Sequence, residues 1–107
     1  MRASRSLFAL IPAVLVLSAP LSAHANLDLA KKNACMACHA VDKKLVGPSY
    51  QDVAKKYGDD KVAVDALAAS IKKGGSGKWG PIPMPAQAAL SDADAKTLAA
   101  WVLGGAK

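Results

Sequence analysis

Apolar residues recur along this chain three and four positions apart, and no stretch alternates as a half-buried strand requires. Four helices are predicted on that basis, and the fold class is all-α. Tyr50, Val53, Ala54 and Tyr57 fall on one helical face. Ser49 stands where an N-cap belongs, Asp52 completes an S-x-x-D box and Gly58 ends the run. Val64, Leu67, Ala68 and Ile71 form a second stripe, opened by Asp59 or Asp60 and closed by Gly74-Gly75. A third stripe, Ala95, Leu98, Ala99 and Val102 beside Trp101, starts at Ser91 with Asp94 in the box position and stops at Gly104-Gly105. The remaining helix, Leu27 to Ala34, is short and weakly patterned and runs directly into Cys35. Between Gly75 and Ser91 lies a long irregular loop, and the pattern contains neither an internal repeat nor a second domain.

One apolar run stands outside this pattern. Arg2 and Arg5 precede it, it extends from Leu7 to Leu17 with Pro12 inside it, Pro20 breaks it, and Ala23-His24-Ala25 places small residues at alternate positions. These are the marks of a secretory signal peptide over residues 1–25, cut after Ala25; the run is too short and too interrupted for a membrane-spanning helix. The first cysteine is Cys35, well beyond the cut, so neither a lipid anchor nor any other permanent membrane anchor is expected. Residues 26–107 are left as a single domain of 82 residues whose only aromatics are Tyr50, Tyr57, Trp79 and Trp101. A chain of that size builds a modest core and usually needs a staple.

With the two arginines gone, 12 Lys face 8 Asp, a formal charge of +4. That balance favours acidic partners. It does not point to nucleic acid, because no basic run is interleaved with stacking aromatics and an exported protein rarely meets DNA.

The staple is legible in Cys35-Met36-Ala37-Cys38-His39, the C-x-x-C-H signature of c-type heme attachment. Two intervening residues let both thiols reach the two vinyl groups of one porphyrin, and the next residue turns its imidazole towards the iron. A disulfide, a thioredoxin-like redox pair and half of a zinc site are the competing readings. The redox pair wants a βαβ context, and tetrahedral zinc wants two more Cys or His ligands, whereas His24 leaves with the leader. With His39 on one side of the iron, the second axial ligand decides between an electron carrier and a site open to small molecules. Met1 departs with the leader and Met36 is pinned inside the attachment loop on the His39 side, which leaves Met84. It stands in Pro81-Ile82-Pro83-Met84-Pro85, where three prolines restrict the backbone of a loop that must hold one sulfur near iron. A lysine amine could coordinate only after losing its proton.

With these residues in place the chain resembles the short class I cytochromes c of bacteria, including the small carriers that feed periplasmic nitrite reductases. The resemblance covers essentially all of residues 26–107. It rests on Cys35 to Ala40, Val46-Gly47-Pro48, Trp79 to Pro85 and Trp101-Val102-Leu103, in the family's order and spacing. It implies a compact class I cytochrome c fold, four helices around one covalent heme c attached through Cys35 and Cys38. It also implies that the Pro48 carbonyl accepts a hydrogen bond from the His39 ring, fixing its tautomer, and that Trp79 donates to a heme propionate. The first and last helices should cross, bringing Trp101 and Leu98 against Leu27, Ala30 and Ala34. Three residues beyond Met84, where relatives commonly carry an amide able to donate to the methionine sulfur, this chain has Gln87. Where several relatives have a basic residue before the counterpart of Ile71, it has Ser70.

The function so implied is a soluble, monomeric, periplasmic one-electron carrier, not an enzyme, passing electrons between respiratory or denitrification enzymes. Its partners would be redox proteins with acidic docking surfaces, nitrite reductase, a terminal oxidase and a peroxidase among the candidates. A heme enzyme or gas sensor would need a vacant iron site, against which Met84 argues, and nothing in the mature chain suggests a heme subunit of a larger complex. Of the lysine doublets, Lys55-Lys56 and Lys72-Lys73 close helices that acidic residues open, as helix dipoles favour. Lys43, Lys44 and Lys78 flank the attachment and ligand loops and are expected to ring the heme edge, with Lys55 and Lys56 on a helix end away from it.

Overall fold

The computed structural model describes residues 12–13, 22–60 and 62–107, so the expected leader lies almost wholly outside it. Four α-helices and one turn of 3-10 helix appear in the order α1 (Ser22–Lys32), the turn Cys35–Ala37, α2 (Tyr50–Tyr57), α3 (Ala63–Lys73) and α4 (Asp92–Leu103). Among the described residues the only β-pairing is an isolated antiparallel bridge between Gly75 and Met84. No helix is long and apolar enough to cross a membrane among those residues.

Local signals explain most of these boundaries. The Ser49 and Ser91 hydroxyls each accept the backbone N–H three residues on, at 3.0 Å from Asp52 and 3.0 Å from Asp94, satisfying donors that a helix start leaves unpaired. Gly58 ends α2 at φ 56° and Gly74 ends α3 at φ 66°, a left-handed region that costs glycine nothing. Asp60 takes the Val62 N–H on its carboxylate at 3.1 Å and the Ala63 N–H on its carbonyl at 3.1 Å, so it prepares the start of α3 without being its final residue before the helix.

The first helix departs from the expected Leu27 to Ala34 at both ends. It begins at Ser22, where alanines on either side of His24 favour helix. It stops at Lys32 because Ala34 takes the left-handed conformation (φ 59°) and turns the chain into the cysteine segment. Ala34 is consequently exposed, whereas Ala30 is completely buried and Leu27 packs against the same cluster as Trp101 and Leu98.

Helix α4 packs on α1, α2 and α3 alike, with Ala95, Leu98, Ala99, Trp101 and Val102 buried. Two ion pairs fasten its polar face to α3: Lys72 to Asp92, and Lys96 to Asp65 at 3.6 Å. Tyr50 and Val53 from α2 and Ala68 and Ile71 from α3 complete the buried cluster.

Candidate functional site

The 3-10 turn begins directly after the left-handed Ala34. The carbonyl of Cys35 accepts from the N–H groups of both Cys38 (3.2 Å) and His39 (3.0 Å), which winds the C-x-x-C-H segment into a single tight coil. No disulfide joins Cys35 to Cys38, and both are half-buried. The Cys35 thiol is pushed above its ordinary pKa, chiefly by burial, and the Tyr50 hydroxyl against it is pushed far up by burial and by the neighbouring sulfur. Among the described residues no cluster of three His, Cys, Asp or Glu comes together.

His39 is held from three directions. Its Nδ1 lies 2.8 Å from the Pro48 carbonyl, which can only accept, so the proton resides on Nδ1 and the lone pair on Nε2 is left free. The Tyr50 ring stacks on the imidazole with centroids 5.2 Å apart and planes 21° from parallel. Gly47 closes the third side. A Cβ added there would stand 2.5 Å from His39 Cε1, so only glycine lets the backbone pass the ring. The Gly47 N–H in turn donates to Cys38 O at 2.7 Å, tying the two segments together.

The loop that carries Met84 is built on α3. Gly75 N–H donates to Met84 O at 3.1 Å, Met84 N–H to Gly75 O at 2.7 Å, and Gln87 N–H to Ile71 O at 3.1 Å. Gly74 passes so close beneath that an added Cβ would lie 2.4 Å from the Met84 carbonyl oxygen.

Cys35, Cys38, His39, Pro48, Trp79 and Met84, drawn from separate segments, line one cavity of about 660 Å³. Its interior is apolar, with Val53, Leu67, Ile71, Leu98 and Val102 supplied by three helices. Such a volume suits a cofactor-sized group. The donor set suits heme in particular: two thiols for thioether bonds, an imidazole with a bare nitrogen, a thioether sulfur and an apolar wall. Around the mouth, Leu45, Val46 and Ile82 are exposed (43%, 51% and 62%), and Lys44 and Lys78 stand among them.

One surface residue is not where the sequence put it. Lys56 does not point away from the site: its Nζ lies 4.3 Å from the centroid of the Trp79 ring and donates to the Lys78 carbonyl at 3.1 Å. The last turn of α2 and the Trp79 loop meet in space, which helix-dipole reasoning about α2 alone does not reveal. Sequence reasoning also missed the stacking of Tyr50 and the reason for Gly47. The adjacency Gly47-Pro48 beside the motif was the available signal for the second.

A small all-α domain that gathers a C-x-x-C-H coil and a methionine loop around one apolar cavity is a heme-binding electron-transfer domain. The chain belongs to the cytochrome c family, whose model, described as cytochrome c, matches residues 28–106. It is 61% identical over 79 residues to cytochrome c-552 of Hydrogenobacter thermophilus, covering 74% of this chain and 80% of that one. The crystal structure of wild-type Nitrosomonas europaea cytochrome c552 superposes with a TM-score of 0.70 at 57% identity, covering 72% of this chain and 95% of that one. The class 1 cytochrome MtoD of Sideroxydans lithotrophicus ES-1 superposes with a TM-score of 0.64 at 30% identity over 78% and 96% of the two chains. The protein is a small bacterial electron carrier with one heme c bound covalently through Cys35 and Cys38, and not an enzyme.

Proposed function

We propose that the carrier is exported to the periplasm as residues 26–107, holds its iron between His39 and Met84, and delivers single electrons to acidic redox partners at the mouth lined by Lys44. The observation that supports the ligation is that His39, whose Nδ1 is taken up by Pro48, and Met84 line the same cavity from two separately anchored loops. Heme supplies the reversible one-electron chemistry. The chain contributes the rest: Pro48 orients the imidazole, Met84 offers a weakly donating neutral sulfur, and the apolar lining excludes water. Weak donation and low dielectric both disfavour the extra charge of the ferric state, so the potential is positive.

Added cyanide or imidazole tests the ligation directly. Slow, weak uptake by the ferric protein, followed by absorption, supports a closed His/Met site. Fast, tight uptake overturns it. For export, the heme protein recovered from a periplasmic fraction should begin at Asn26 by mass spectrometry.

Docking follows from charge. Lysines around exposed apolar side chains fit an acidic partner, whether nitrite reductase, a terminal oxidase or a peroxidase, and steering of this kind acts mainly on the association rate. The screening length falls from ~30 Å at 0.01 M salt to ~10 Å at 0.1 M, so the long-range pull must fade across that interval. Lys43→Glu and Lys44→Glu should slow electron transfer at low salt and have little effect at high salt. Lys55→Glu is the control, since Lys55 stands on the last turn of α2, outside the attachment loop; Lys56 cannot serve, because it is engaged with Trp79. Equal slowing by Lys55→Glu would show that only net charge matters.

A further inference from the structure

The two ends of the loop between α3 and α4 are held by different means. Its base is fastened to itself and to α3 by the Gly75–Met84 pair and by the Gln87–Ile71 bond. Its tip, Lys78-Trp79, is joined within the loop only by the Gly77 N–H donating to Gly80 O at 2.8 Å. Glycines at φ 94° (Gly77) and φ 124° (Gly80) flank it, so the local backbone alone does little to fix its direction.

What ties the tip to the rest of the molecule is a reciprocal clasp with the end of α2. Lys56 lays its ammonium on the Trp79 ring and bonds the Lys78 carbonyl, while Lys78 lays its own ammonium 4.4 Å from the Tyr57 centroid and donates to the Tyr57 hydroxyl. Each Lys-aromatic dipeptide thus covers the aromatic ring of the other. The α2 side is the fixed partner, since its helix is capped by Ser49 and seated by buried Tyr50 and Val53.

We infer that Lys56 is a positioning residue: acting from α2, it sets the orientation of the Trp79 indole at the cavity mouth and leaves the Met84 end of the loop unaffected. Ammonium and ring attract through the ring quadrupole, and the bond to the Lys78 carbonyl fixes the backbone from which the indole projects. Lysine suits this place because its long stem reaches across from the helix while its head stays in water. The functional weight of the inference rests on the reading that Trp79 contacts the heme.

The test uses the ferrous holoprotein and two variants, Lys56→Met, which keeps the stem but removes charge and donor, and Lys56→Arg, which keeps both. By NMR, Lys56→Met should shift the Trp79 indole N–H resonance and accelerate amide exchange at Gly77 by about two- to ten-fold. Exchange at Gly75 and Met84 should stay as in the wild type, and Lys56→Arg should restore both signals. An unmoved indole resonance with unchanged Gly77 exchange overturns the inference. So does equal acceleration at Gly75 and Met84, which would mean that the loop is held as one body. The reduction potential of Trp79→Phe separates the two layers. A shift in that variant, followed in the same direction and to a smaller extent by Lys56→Met, supports the whole. A potential indifferent to Trp79→Phe sinks the heme-contact reading, while the exchange data still decide Lys56.

Discussion

A methyl group at position 47 would occupy the space of the His39 imidazole, since the added carbon would lie 2.5 Å from Cε1 and 2.9 Å from Nδ1. Gly47→Ala must therefore push the ring off the Pro48 carbonyl or bend the backbone, at the ~1–3 kcal/mol typical of overpacking. Denaturant unfolding of the holoprotein should show that loss, together with easier access of imidazole to the ferric site. Methionines 84 and 36 provide a contrast. On the proposed His39/Met84 ligation, Met84→Ala should open the iron to added ligands and lower the reduction potential, because a neutral sulfur that favours the ferrous state would be lost. Met36 packs half-buried against the helical core, and Met36→Leu should do neither. Loss of the sulfur-to-iron charge-transfer band in Met36→Leu, with its retention in Met84→Ala, would reverse the assignment.

The starts of α2 and α4 each depend on one serine hydroxyl, and α4 is the element on which the others pack. Ser91→Ala should cost about 1 kcal/mol in denaturant unfolding, the usual worth of such a cap. Next to it, the Lys72 ammonium hydrogen-bonded to Asp92 holds that carboxyl below the usual carboxylate range. A carboxyl lowered in the folded state stabilises fully above its unfolded pKa and loses that contribution as the pH falls through the folded one. Asp92 is solvent-exposed, so the effect is small. Asp92→Asn should melt slightly below the wild type at neutral pH, and the gap in Tm should close as the solution is acidified below the carboxylate range.

At the scale of the whole molecule the core is unusual in what fills it. The residues at 0% exposure are Ala30, Ala95 and Ala99, small side chains where helices cross, and no large side chain is completely buried among the described residues. The larger apolar residues, Leu67, Ile71, Leu98 and Val102 among them, line the cavity. A domain this small, with its apolar surface arranged around a central cavity, is expected to fold by burying the group held there. Replacing Cys35 and Cys38 together with Ala should abolish covalent heme and most of the helical circular dichroism. A well-folded, protease-resistant double variant would refute this.

The sequence by itself determined what short-range chemistry can determine. Ser49 and Ser91 cap from three residues away, Gly58 and Gly74 stop helices through their own torsions, the stripes of α2, α3 and α4 are periodic, and the cysteine motif carries its spacing within five residues. The end of the first helix was misread because its stop depends on the left-handed turn at Ala34, which alanine does not advertise. Tertiary structure alone decided which residues meet across the chain. Tyr50 on His39, Gly47 beneath the same ring and Lys56 over Trp79 are contacts between separate segments, and a side chain's partner across a fold is set by how helices pack, not by the identity of its neighbours in sequence. The reading of Lys56 failed for that reason: a lysine in the last turn of a helix satisfies the helix dipole equally well whether it faces open water or the indole of a distant loop.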